Sequence, residues 1–319
     1  MKRQKSEERF KAIGRSDTSA VADALQDFFV RSPPVHSGGL YHYTKIEALK
    51  SILESKAILL SSSQQLNDLA EPQDSGMYIA SFAYGRIENV AMWGIYANPL
   101  TRAVRLRFLY SELGSIVRDC GRKHLLAPVL KRKSVDGTTE FKILYEQTEA
   151  VHIAGKHLLT DVLYADLSSS NKDAVAIRWN NMIVKVPVHV IEEMKKRQLS
   201  GIVKYSGWSY EKETRICIQA EVDERVVRAH ETDGWTFAPE KLALLLKPEM
   251  VTSFSVLGGP CASKDKLEVA IAKNNLLNDA IKVSSVERSA LYGLIRGGVF
   301  CKDCSRNGQD NCLIDRSMS

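Results

Sequence analysis

Short segments with a two-residue apolar period recur along this chain, interrupted by helical segments in no regular alternation, and this pattern constrains the fold most. Val104, Leu106 and Phe108 alternate with Arg105 and Arg107, which predicts a strand over 103–108 with one polar face. Residues 40–43, 57–60, 77–82, 182–186, 202–205, 214–218 and 253–257 read as further strands. Helical spacing is found over 17–30, 88–97, 190–197, 239–246 and 264–276. Ile46, Leu49, Ile52 and Leu53 form one apolar stripe, and Thr44-Lys45-Ile46-Glu47 ahead of them reads as a capping box. Strands and helices mixed without a βαβ rhythm predict an α+β fold rather than a doubly wound sheet.

Three segments follow from this reading. Residues 1–37 form a helical lead-in that Pro33-Pro34 ends, before Gly38-Gly39 opens the first strand. Residues 38–296 form the body, with 111–175 as a partly helical, variable insert. Residues 297–319 form a tail bearing Cys301, Cys304 and Cys312. Hydrophobic residues make up 44% of the 319, enough for a sizeable core. No apolar run of about 18 residues occurs, so no membrane span is expected. The basic N-terminal stretch lacks an apolar stretch, and the six cysteines are scattered, so a cytoplasmic, reduced protein is expected.

Lys and Arg number 44 against 38 Asp and Glu, a net charge of +6 that permits a nucleic-acid partner without requiring one. The densest basic stretch, 121–134, contains Lys131, Arg132 and Lys133 and no acid. It reads as a solvated face or as a phosphate-contacting patch. Several chemistries are excluded by their missing motifs. There is no Gly-x-Gly-x-x-Gly opening a helix, no Walker A sequence, no Gly-x-Ser-x-Gly and no His-Glu-x-x-His. Cys301-x-x-Cys304 with Cys312 lacks a nearby fourth thiol; His230 or Cys261 would complete a zinc site only by folding back, so no metal is expected. Glu211, Glu213 and Arg215 fall at i, i+2 and i+4 and would share a strand face. They read either as a surface ladder or as a cleft in which Arg215 holds Glu213 ionised.

The blocks Leu40-Tyr41-His42-Tyr43-Thr44, Leu49…Ile52-Leu53 and Ile58…Ser61…Leu66-Asn67-Asp68…Glu71 resemble the bacterial DUF2971 family. Ser81-Phe82…Met92-Trp93…Tyr96-Ala97, Trp208…Glu211-Lys212-Glu213-Thr214-Arg215 and Leu257-Gly258-Gly259-Pro260 continue that resemblance in order. The His-Tyr-Thr start and the late Glu-x-Glu also resemble the ADP-ribosyltransferases. That resemblance implies an α+β domain with split mixed and antiparallel sheets and flanking helices, and NAD as cofactor. It assigns His42, Tyr43 and Thr44 to the first cofactor-binding motif, Tyr78 and Ser81 to the second, and Trp93 or Tyr96 to the ring that stacks on nicotinamide. Glu213 becomes the catalytic carboxylate, with Arg215 beside it and Glu211 at the target-recognising position. The resemblance implies transfer of ADP-ribose to a macromolecular acceptor, nucleic acid rather than protein, with Lys131, Arg132 and Lys133 guiding its phosphates. A bacterial toxin or phage-defence effector, restrained by a cognate antitoxin, is the implied setting. A non-catalytic nucleotide- or partner-sensing module and a nucleic-acid-binding or nuclease-like protein are the alternatives.

Overall fold

Gly39 enters the first strand at φ +93, where an added Cβ would meet the Phe108 carbonyl oxygen at 2.8 Å, so the second of the two glycines is required by a close backbone approach. The computed structural model describes residues 39–66, 76–85, 87–165, 174–179, 182–187, 202–246, 253–275, 282–289 and 291. The lead-in, the cysteine tail, residues 67–71 and the helix expected over 190–197 lie outside them.

In chain order the elements are β1 (Leu40–Lys45), α1 (Ile46–Ser55), β2 (Ala57–Ser62), β3 (Met77–Tyr84), α2 (Val90–Tyr96), β4 (Ala103–Phe108) and α3 (Tyr110–Asp119). Next come β5 (Leu126–Lys133), β6 (Thr139–Ile143), β7 (Val151–Asp161), β8 (Leu163–Ala165), β9 (Ala174–Trp179), β10 (Met182–Pro187) and β11 (Val203–Tyr205). The last are β12 (Glu213–Val222), α4 (Glu224–Arg228), β13 (Thr236–Leu245), β14 (Ser253–Gly258), α5 (Lys264–Asn275) and β15 (Lys282–Arg288). Among the described residues β8 with β11 and β14 with β15 run parallel, and β1 with β3 and β4, β2 with β3, β4 with β14, β5 with β6, β7 with β12, β8 with β9 and β9 with β10 run antiparallel. The fold is mixed α and β, mostly antiparallel, with few helices.

The chain forms two compact units. Of the described residues, the first takes those within 59–81 and 120–243, and the second those within 39–58, 82–119 and 244–291. In the first unit β12 pairs with β3 and β7, and β5 lies between β13 and β6. A second sheet there runs β10-β9-β8-β11. Its apolar clusters include Met77, Ile79 and Cys217 on one side and Leu130, Val227 and Phe237 elsewhere. In the second unit the order is β15-β14-β4-β1, and β1 continues to the end of β3. Tyr41, Tyr43, Met92, Trp93 and Leu257 form its aromatic-rich core. The α1 stripe is buried as its spacing requires: Ile46, Leu49, Ile52 and Leu53 are at most 7% exposed.

Two local expectations are corrected. The capping box does not form: Thr44 remains in β1 opposite Val104, Lys45 is the N-cap without a side-chain bond, and Glu47 pairs with Arg102 instead. Strand pairing has claimed the residue that capping needed. Of residues 239–246, expected to be helical, 239–245 continue β13; buried Leu242, Ala243 and Leu244 read as helix or strand by composition alone, and sheet pairing decides. Residues 111–175 are partly helical, in the rest of α3 and in a 3-10 segment, Tyr145–Ala150, and the remainder that is described is mainly β5 to β9. Among the described residues no helix is long and apolar enough to cross a membrane.

Candidate functional site

β12 begins directly after a 3-10 turn, Ser206–Glu211, and the two are joined by Lys212 in the left-handed region at φ 46. Glu211, Glu213 and Arg215 therefore do not form one strand ladder. Glu213 and Arg215 share a face of β12, and the kink at Lys212 carries Glu211 to the same place from outside the strand. The three side chains are buried, at 1%, 3% and 1% exposure. The surface reading of this motif is thus excluded.

The charges are closed on one another. Arg215 grips Glu213 with two bonds, Nε to Oε1 at 2.7 Å and Nη2 to Oε2 at 3.0 Å. Lys204, on β11, donates from Nζ to Glu211 Oε2 at 2.7 Å and to Glu213 Oε2 at 3.4 Å. Two acids face two bases, so the cluster is formally neutral. The backbone sets this up. β11 runs parallel to β8, Lys204 opposite Tyr164, and the Val162 N–H bonds the Glu213 carbonyl at 2.9 Å. The Tyr164 hydroxyl then accepts the Glu213 N–H at 2.9 Å. Next along β12, Thr214 Oγ1 donates to Asp161 Oδ1 at 2.6 Å.

Burial alone would push the Glu213 carboxyl up. Arg215, then Lys204, then hydrogen bonds from Arg215 and Ser81 overcome that and hold it at about 2. Glu213 is ionised at neutral pH. Burial and the nearby Glu213 charge push the Tyr164 phenol well above its usual range, so it stays protonated. Lys204 loses to desolvation but is raised on balance by Glu213, against Arg215, and by Glu211.

The structure thus brings Ser81, Glu211, Glu213 and Arg215 together within the first unit. Tyr78 belongs to that unit too; it is buried on β3, with its hydroxyl donating to the Pro239 carbonyl at 3.0 Å. An aromatic ring that the sequence did not mark for stacking also lies here. Trp208, half-buried, has Lys204 Nζ 4.8 Å from its ring centroid and Tyr210 6.1 Å away.

The other candidates belong to the second unit. His42 is half-buried on β1 beside Phe82, with ring centroids 5.6 Å apart. Thr44 follows two residues later on the same face. Tyr43 is buried, in edge contact with Trp93 at 4.8 Å, and its hydroxyl accepts the Asn89 N–H. Trp93 is fully enclosed and donates its indole N–H to Glu88 Oε2 at 3.0 Å. Of the two stacking candidates only Tyr96 keeps exposed surface.

The basic triplet ends β5 in the first unit and lines a groove of about 750 Å³ with Phe141, Glu240 and Lys241. Lys131 is bound to Glu240 at 2.6 Å. Arg132 makes two bonds to Glu140, at 3.2 and 2.6 Å, and lies over the Trp235 ring at 4.6 Å. Lys133 is exposed. Lys241 donates to Ser61 Oγ at 2.7 Å and lies 6.0 Å from the Phe141 ring centroid.

Lys204 and Tyr164 are the site residues that sequence reasoning missed. A lysine inside the short apolar run Ile202–Tyr205 was the available signal, since a strand lysine with apolar neighbours must find a buried acid. Among the described residues no group of three or more His, Cys, Asp and Glu is placed to hold a metal. Comparison with known proteins finds no matching family model, no matching curated protein and no matching solved structure.

Proposed function

We propose that this protein is an NAD-dependent ADP-ribosyltransferase whose reacting carboxylate is Glu213. One observation carries the reading: Ser81, from the second motif of the resemblance, donates a hydrogen bond to Glu213, from the third. Residues far apart in sequence, assigned to one site by motif alone, meet there. The donor set suits the chemistry, because splitting a glycosidic bond to a cationic leaving group calls for a carboxylate ionised at neutral pH. NAD, when bound, supplies an ADP-ribosyl group joined to nicotinamide, a leaving group that departs neutral. Glu213 offers a fixed negative charge to the positive charge that develops on the ribose. Arg215 and Ser81 fix the direction of its lone pairs, so that no reorganisation is needed as charge builds. The Trp208 ring, beside Lys204, is a flat apolar surface suited to a planar ring. The overall fold would be the ADP-ribosyltransferase type of split sheet, the family membership that of DUF2971, and the groove beside Lys133 the place for a nucleic-acid acceptor. A cytoplasmic effector with a cognate antitoxin is the setting this reading favours.

A second reading rests on the enclosure of Glu213, which is 3% exposed and bound by two cations. In that reading the cluster is structural and the protein is a non-catalytic nucleotide- or partner-sensing module.

The full chain is titrated with NAD by calorimetry, and nicotinamide release is followed in parallel. The enzyme reading expects micromolar to millimolar binding and measurable release. Glu213→Gln should then lose about 10²-fold or more in rate, while the folded fraction keeps NAD affinity within a few-fold. Absence of NAD binding removes the enzyme reading and leaves the module.

A further inference from the structure

In the second unit, alternate residues of three neighbouring strands face the same way. The register sets Tyr43 opposite Arg105 and Tyr41 opposite Arg107, then Arg105 opposite Leu257 and Arg107 opposite Ser255. These side chains, except Tyr43, line a pocket of about 340 Å³, with Glu287 of β15 at its edge. Arg105 is the unusual member. It is 7% exposed, yet among the described residues no carboxylate lies within ion-pairing distance of it. Its Nη1 donates to the Tyr43 hydroxyl at 3.3 Å, and its guanidinium lies over the rings of Tyr41 and Tyr43, at 4.4 and 5.6 Å. Its Nε has no partner.

A guanidinium does not lose its proton in a protein, so burial leaves this one charged. Aromatic faces return part of the lost hydration but accept no hydrogen bond in the plane of the fork. Arg105 lines the wall of a pocket without a carboxylate partner, and its enclosed Nε is unsatisfied, so its buried charge lacks an anion. Arg107, on the same face one pleat along and exposed, adds a second positive charge. The lining carries two bases against one acid.

We propose that Arg105 and Arg107 form an oxyanion site that takes a phosphate group. The inference stands on the second unit alone and holds whether or not Glu213 is catalytic. The paired geometry of guanidinium donors matches tetrahedral phosphate oxygens. The pocket has room beyond one phosphate, so the group is either free phosphate or the terminal phosphate of a small organic molecule. Glu287 opposes the anion and acts as a selectivity element at the rim.

The full chain is titrated by calorimetry with inorganic phosphate and separately with ADP, against sodium chloride at equal ionic strength. Wild type should bind phosphate with a Kd in the millimolar range or below. ADP binding tenfold tighter or more identifies an organic phosphate, and equal affinity identifies the free ion. Arg105→Met should abolish both, Arg107→Ala should weaken both about tenfold, and Glu287→Gln should tighten both. If Arg105→Met does not fold, the exposed Arg107→Ala decides, and unchanged affinity there overturns the proposal. No response of wild type beyond chloride, or full binding by a folded Arg105→Met, overturns it as well.

Discussion

Glu213→Gln removes one of two acids from a buried cluster of four charges and leaves Lys204 and Arg215 facing Glu211 alone. Taking one partner from a buried pair costs about 3–5 kcal/mol, because a desolvated charge is left uncompensated. The glutamine carbonyl still accepts from Arg215 Nε, which places the loss near the lower end, about 3 kcal/mol. At roughly 2–4 °C per kcal/mol for a domain of this size, the midpoint should fall by about 6–12 °C at pH 7. The pH dependence has a definite sign. The Glu213 carboxyl is held at about 2 against an ordinary 4.5, so its contribution is complete above about 4.5 and is lost as pH falls toward 2. The gap between wild type and variant should therefore be constant from pH 6 to 8 and narrow below pH 4. Thermal melts followed by circular dichroism at several pH values measure it. Adding Lys204→Met returns the cluster to one acid and one base, and should recover more than half of the loss. A variant melting within about 2 °C of wild type at pH 7, with no change of the gap in acid, refutes the account of the cluster.

Two further outcomes follow from the same reasoning. Trp93→Phe removes the indole N–H from Glu88 and should cost about 2 kcal/mol in a melt, while NAD affinity of the folded fraction stays unchanged because Trp93 is fully buried; a selective loss of NAD affinity would restore Trp93 as the stacking ring. In the β5 groove, Lys131 and Arg132 are already bound to Glu240 and Glu140, so Lys133→Ala with Lys241→Ala should flatten the salt dependence of single-strand binding by about 1.4 in log–log slope, and Lys131→Ala with Arg132→Ala by much less; filter binding at graded salt reads both, and the reverse ranking rejects this division of roles.

Strand positions were legible where alternation was strict. Residues 103–108 fall within β4, where apolar residues alternate with Arg105 and Arg107. Runs apolar on both sides were not legible: 239–246 gives no period, and β13 forms because its neighbours in the sheet supply partners. Motif spacing brought Glu211, Glu213, Arg215 and Ser81 to one site, but the kink at Lys212 and the arrival of Lys204 from β11 depend on long-range pairing that spacing does not encode. The polar face expected for β4 was half right in chemistry and wrong in placement. Arg107 is exposed, but Arg105 is buried against two tyrosines, because Tyr41 and Tyr43 point to the same side and cover it.

The two arginines buried among the described residues obey different logic. Arg215 sits in a neutral cluster with two carboxylate bonds, and such a cluster is close to neutral for stability compared with apolar residues. Arg105 has no carboxylate partner among the described residues. Its contacts with Tyr41 and Tyr43 are worth about 2 kcal/mol when desolvated, against a desolvation penalty of several kcal/mol for a lone buried ion. The imbalance makes the ligand-free second unit less stable than its core requires. Met or Leu would pack against the same rings without the penalty, so the proposed phosphate supplies the reason to keep the charge. Arg105→Met should therefore melt no lower than wild type in chloride buffer. In millimolar phosphate wild type should rise and the variant should not, so the order of the two melting curves reports whether position 105 serves the fold or a ligand.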